Sequence, residues 1–301
     1  MSAEGVIHDI GYQRYEGPRL PRSYSVRSLY SHGFRAAFGL GRSGKAKVFP
    51  WICVGLLMLV ATILTVIRSQ SGEVVLAYWE FPQAIALIVI LFCAVVGPEL
   101  VSRDLRGGVL PLYFSRPLTR SDYAFAKLGA LVSTVFVLLA APMTLMFVGA
   151  AFSVANVSEF WTELGEFGKG LAVGGVYALL FGALSLLVAS LAGRRAVAAA
   201  MIVALFLITT PVYGVLMGIA YSGDEDGQLT GGALTLSQLA GLVSPTTLAQ
   251  GVGQWWFASA NPDSDGLPGL GSYGVLYGLV TLGIVVVCGL LLLLRYRKVA
   301  R

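Results

Sequence analysis

Six apolar windows of roughly the length needed to cross a bilayer core about 30 Å thick dominate this sequence. They cover 50–67, 81–101, 128–152, 170–193, 196–221 and 271–294, and the second is free of charge up to Glu99. With 301 residues, length alone would suggest two soluble domains. Composition overrides that expectation. Apolar and aromatic residues make up 56% and charged residues 12%, about half the ~25% that a soluble surface carries. A mean hydropathy of +0.76 excludes disorder, a coiled coil and an ordinary soluble enzyme. The fold class expected is an all-α polytopic membrane protein with six transmembrane helices.

Lys and Arg orient the spans. Nineteen of the 21 fall in 1–49, 102–127, 194–195 and the tail 295–301, while the other three connections hold only Arg68 and Lys169. Both termini are therefore expected in the cytoplasm of a prokaryotic plasma membrane. The net charge of +5 arises from these flanks, so it points to membrane lipids and not to nucleic acid. The first apolar stretch begins only around Pro50, so no secretory leader is expected. Cys53, Cys93 and Cys288 each sit in an apolar run and read as small buried hydrophobes.

Residues 229–257 are also uncharged, but Gln238, Ser244, Thr246, Thr247 and Gln250 are too polar for lipid. A seventh crossing would also place Arg295 and Arg297 outside. The segment is expected to be re-entrant or amphipathic on the outer face, with Trp255 and Trp256 at the interface. At the other end, 23–38 has Val26, Tyr30, Phe34 and Phe38 at a spacing of four between basic residues. That pattern predicts an amphipathic helix in the cytoplasmic interface. After it, Gly39, Gly41, Gly44 and Lys45 imitate a phosphate loop, but Ala46 stands where magnesium needs a hydroxyl. A flexible basic hinge is the expectation there.

The cytoplasmic loop 99–127 carries the most information. The second helix can continue through Glu99, Arg103, Asp104 and Arg106 until Gly107 and Gly108 break it. Residues 109–114 are too short to span and too apolar to leave in water. Pro117 keeps Arg116 out of the helical region, and Thr119 or Ser121 can cap the next helix, with Asp122 in its first turn. A plain helix connection needs only about two to eight residues. An i,i+4 pair between Glu99 and Arg103, or lipid contacts of Arg116 and Arg120, would be the purely structural account of these charges.

In Glu99, Asp104, Gly107, Leu110, Ser115, Arg116, Pro117, Arg120, Tyr123 and Lys127, the loop resembles the signature of ABC-2 type transporter permeases, the membrane subunits of a class of ABC exporters. Specific residues cover about 29 positions; the span layout, interfacial helix and outer segment are similar too, and 8–19 resembles a leader of some members. Pro111 departs from the pattern, and no fused ATPase domain is expected. The resemblance implies two separate ABC ATPase subunits per complex, which would bind ATP and Mg, and a second permease copy or relative. No cofactor or catalytic residue is expected in this chain. A short helix near 108–114 would seat in the ATPase, with Arg103, Arg106, Gly108, Tyr113 and Phe114 joining the signature residues at the coupling interface.

The windows lack ionisable side chains apart from Glu99 at the edge of the second, which argues against a proton- or ion-coupled transporter. Thr65, Thr134, Thr209, Thr210 and Tyr213 are the mild polar candidates for a substrate path, although such hydroxyls often bond only their own helix. Cargo would be apolar or amphiphilic, a lipid or a drug-like natural product. The alternative is a membrane anchor or assembly subunit for a cytoplasmic partner.

Overall fold

The computed structural model describes residues 17, 20–106, 113, 118–154, 156–222, 231–257 and 270–299, leaving aside the side chains of Ser102, Arg103, Leu105, Arg106, Lys298 and Val299. Among these residues every regular element is helical. Five helices are long and apolar enough to cross a membrane: Gly44–Ser71, Arg120–Ala151, Val157–Leu191, Arg195–Tyr221 and Gly271–Arg297. Ala86–Val101 is a shorter apolar helix. The chain is a multi-pass, all-α membrane protein.

In chain order, α1 is Arg22–Ala37, α2 Gly44–Ser71, α3 Phe81–Ala84 and α4 Ala86–Arg106. Then come α5 Arg120–Ala151, α6 Val157–Leu191, α7 Arg195–Tyr221, α8 Gly231–Ala240, α9 Pro245–Phe257 and α10 Gly274–Val299. The core lies where α5 and α6 pack on each other and on α2, α4 and α10. Of the long helices, α6 is the most enclosed and α7 the least.

Several helices outrun the windows that foreshadow them, and the reason is physical. Hydropathy measures what lipid tolerates, whereas a helix continues wherever its backbone bonds are supported. So α6 starts at Val157 and not near 170, because Glu159, Glu163, Glu166 and Lys169 end the apolar window without ending the helix. Likewise α2 begins at Gly44, six residues before the apolar window opens, and carries Pro50 inside it. The second window is also interrupted: Ile85 turns between α3 and α4.

The expected amphipathic helix forms as α1, but its most buried residues are Leu29, Gly33 and Ala37, with Val26, Tyr30 and Phe34 packed at the edges. It lies on α5 and α4. A Cβ on Gly33 would stand 2.9 Å from that of Ala130, so glycine sets this close approach. The Tyr30 hydroxyl donates to or accepts from Ser133 Oγ at 2.9 Å. The loop resembling a phosphate site is a turn that joins two helices. Gly39 has φ 70° there, and a Cβ on it would meet the Ala46 carbonyl oxygen at 2.7 Å.

Residues 231–257 form a hairpin of two short helices, 10 and 13 residues long. Three of their hydroxyls are bonded within the segment: Thr247 Oγ1 donates to the Gly241 carbonyl at 2.8 Å, and the Ser244 and Thr246 hydroxyls bond each other at 2.8 Å. The hairpin packs on α6, α7 and α10. Tyr277 of α10 fills the space left by Gly241 and Gly251 and donates to the Gln238 carbonyl at 2.8 Å. Trp255 lies against Gly274 and Gly278.

Candidate functional site

The end of α4 and the start of α5 flank the loop 107–117, and their polar side chains are organised within the chain. Glu99 and Asp104 are five residues apart, about 140° around a helix, so they serve different neighbours. Glu99 pairs with Arg42 from the turn before α2 and with Arg195 at the start of α7, the latter at 2.6 Å. Asp104 faces α5, where Tyr123 and Lys127 share one face four residues apart. Its Oδ2 accepts from the Tyr123 hydroxyl at 2.7 Å and pairs with Lys127 Nζ at 2.8 Å. The Lys127 side chain is only 4% exposed. An ammonium so deep is tolerable only with such a partner.

Aromatic rings extend this cluster. Tyr123 lies 5.8 Å from Tyr113 and 5.1 Å, edge-on, from Tyr296 near the end of α10. Arg120 reaches the Arg297 carbonyl at 3.4 Å. The last helix is thus fastened to the same two turns of α5. A cavity of about 690 Å³ opens beside the cluster, lined by His32, Arg42, Glu99, Asp104, Tyr113 and Lys127 among others.

A second fastening ties α1 to the head of α5, ahead of the 128–152 window. Thr119 caps α5 in a reciprocal box: its hydroxyl accepts from the Asp122 amide, and its own amide donates to Asp122. The Arg22 guanidinium forks onto both Asp122 oxygens at 2.6 and 2.7 Å and onto Thr119 Oγ1 at 2.9 Å. The bonds from Arg22, helped by those of Thr119 and opposed by slight burial, hold the Asp122 carboxyl down to about 2.

Of the residues singled out in the sequence, Glu99, Asp104, Tyr113, Arg120, Tyr123 and Lys127 come together at this end. Gly107, Gly108, Leu110, Phe114, Ser115, Arg116 and Pro117 lie outside the described residues, as do the side chains of Arg103 and Arg106. The mild polar candidates bond mainly within their own helices. Thr65, Thr134, Thr209 and Thr210 each donate to a carbonyl of their own helix, at 2.7, 2.6, 3.0 and 3.0 Å. Tyr213 packs against the core from α7.

Sequence reasoning missed Arg22, Arg42, Arg195 and Tyr296 as members of the cluster. It also missed an ionic knot at the opposite end of the bundle. There Arg68 donates to both oxygens of the buried Glu163 at 2.6 and 2.7 Å, and the Tyr78 hydroxyl donates to the same carboxylate. Burial, then the Glu163 carboxylate, holds the Tyr78 phenol above its ordinary value. A signal was available: Arg68 is one of only two basic residues in the connections on that side. Among the described residues, no three His, Cys, Asp or Glu side chains gather as a metal site would. The arrangement ties the end of α4, the start of α5, the last helix and α1 together.

Residues 80–298 match the family model described as ABC-2 family transporter protein. No curated protein matches the chain.

Proposed function

The chain belongs to the ABC-2 family of transporter proteins, and from that premise we propose that it is the permease subunit of an ATP-driven exporter. It moves an apolar or amphiphilic substrate outward and is energised by two ABC ATPase subunits, which bind ATP and Mg and dock on the loop 99–127. A second permease copy or relative completes the translocation unit. In this reading α4 supplies the sixth span, α1 lies at the cytoplasmic interface, the α8–α9 hairpin dips in from the outer face, and both termini are cytoplasmic in the plasma membrane.

The observation that carries the reading is the block formed by Asp104, Tyr123, Lys127 and Tyr296. A push on the loop between α4 and α5 meets side chains fastened to α4, α5 and α10 together, so it would tilt helices and not merely bend a connection. The uneven distribution of Lys and Arg supports the orientation. The chain itself is assigned no catalytic role; hydrolysis belongs to the partner.

The test is affinity capture of the tagged full chain from its host in mild detergent, followed by mass spectrometry and an ATPase assay. Recovery of a soluble Walker-type ATPase with vanadate-sensitive turnover that cargo stimulates is the expected result. Recovery of a partner without nucleotide motifs would move the assignment to a membrane anchor.

A further inference from the structure

A groove of about 700 Å³ separates α4 from the start of α7. Its lining divides by chemistry: Ala94, Val95, Ala196 and Ala199 form a small-residue apolar floor, and Arg194 and Arg195 stand at one end. The two arginines are not equivalent. Arg195 is held by Glu99 at 2.6 Å, and that carboxylate is shared with Arg42. Arg194 is exposed, in extended conformation at the cap position of α7, and makes no ion pair among the described residues. Glu99 is thus shared by two guanidiniums while Arg194 pairs with no carboxylate among the described residues, leaving the mouth of the groove positive, and the positive end of the α7 dipole adds to it.

We propose that this groove is a binding site for an anionic phospholipid, its phosphate at Arg194 and an acyl chain along Ala94, Val95, Ala196 and Ala199. The chemistry selects the occupant. A free phosphate gains nothing from the alanine floor, and a zwitterionic lipid brings an ammonium toward a surplus of positive charge. A second copy meeting this face about a two-fold axis would bring its own Arg194 and Arg195 to the same patch. Basic pockets between membrane helices take such headgroups for these reasons. The site rests on the proposed placement of this end at the cytoplasmic headgroup layer, but not on transport.

The experiment uses the full chain in symmetric phosphatidylcholine vesicles carrying a trace of photoactivatable phosphatidylglycerol or phosphatidylcholine with identical chains. Adducts are mapped by peptide mass spectrometry. Labelling of 94–95 and 196–199 by phosphatidylglycerol should exceed that by phosphatidylcholine about fivefold, the effect of one arginine near an anionic surface. Arg194→Glu should abolish the preference and Arg194→Lys should keep it. Equal labelling of the wild-type chain by the two lipids would overturn the proposal without any variant, as would a preference that survives Arg194→Glu. A disulfide joining two copies of the Ala199→Cys chain would assign the groove to a second copy and overturn it as well. Because both leaflets carry the same lipids, a reversed orientation would leave the preference intact. It would appear instead in the reaction of an impermeant maleimide with Gly193→Cys.

Discussion

At the basic end of the bundle, α4 is tied to α5 by Asp104, Tyr123 and Lys127, while at the opposite end the α8–α9 hairpin is held to α10 by rings set on glycines. Charged links can exchange partners with little change of shape. A ring in the space of a missing Cβ is either seated or displaced. The proposed exporter would need both kinds of joint: a block that reorganises where the ATPase pushes, and a rigid cap at the outer face. Helix α10 touches both, since Tyr277 and Tyr296 lie 19 residues apart, about 28 Å along a helix.

The comparison breaks most readily at Asp104. Asp104→Ala strands the Lys127 ammonium, 4% exposed, and should cost about 3 kcal/mol, the lower end for breaking a buried pair. Thermal unfolding in detergent reads this loss. Asp104→Leu combined with Lys127→Met should recover most of it, whereas independent losses from the two sites would show that they do not act as a pair.

Gly251→Ala comes next. Its Cβ would fall 2.2 Å from the Tyr277 ring, and overpacking of this kind costs about 1–3 kcal/mol. The hairpin should become open to protease while the basic end keeps its stability. Gly218→Ala is the control: nothing stands within 4 Å of its Cβ position, so stability should hold or rise slightly.

Glu163→Gln should cost less than Asp104→Ala, about 1–2 kcal/mol, because Arg68 keeps 29% of its side chain exposed and can turn to water. The smallest effect belongs to Arg22 and Asp122. With its carboxyl held at about 2 against an ordinary 3.8, Asp122 contributes stability above about pH 4 that is lost as pH falls toward 2. Protection of the α1 amides against hydrogen exchange, taken relative to the intrinsic rate at each pH, should fall over that interval, and Arg22→Ala should remove this dependence with little change in global unfolding.

These two ends also differ in how far the sequence betrays them. Charge is so scarce in this chain that Glu99, Asp104 and Lys127 are conspicuous against an apolar background, and the cap of Thr119 with Asp122 is readable from local spacing. Their partners are not. Arg42 and Arg195 reach Glu99 from turns 57 and 96 residues away in sequence, and nothing local announces that convergence. Glycine is too common, at 37 residues, for spacing alone to single out a contact. Gly274 and Gly278 receive Trp255 and Gly170 receives Tyr78, yet Gly214 and Gly218, with the same spacing, meet nothing within 4 Å. The overshoot of α6 before 170 has a related cause, since charge that lipid rejects is welcome on a helix above the membrane.

The central claim is that the loop 99–127 receives an ATPase. The most direct measurement is capture of that ATPase by the double variant Arg116→Glu, Arg120→Glu, beside ATP-dependent transport in vesicles. The account expects a chain that inserts and folds but recovers no ATPase and moves no cargo. Normal recovery together with full ATP-dependent transport would contradict it.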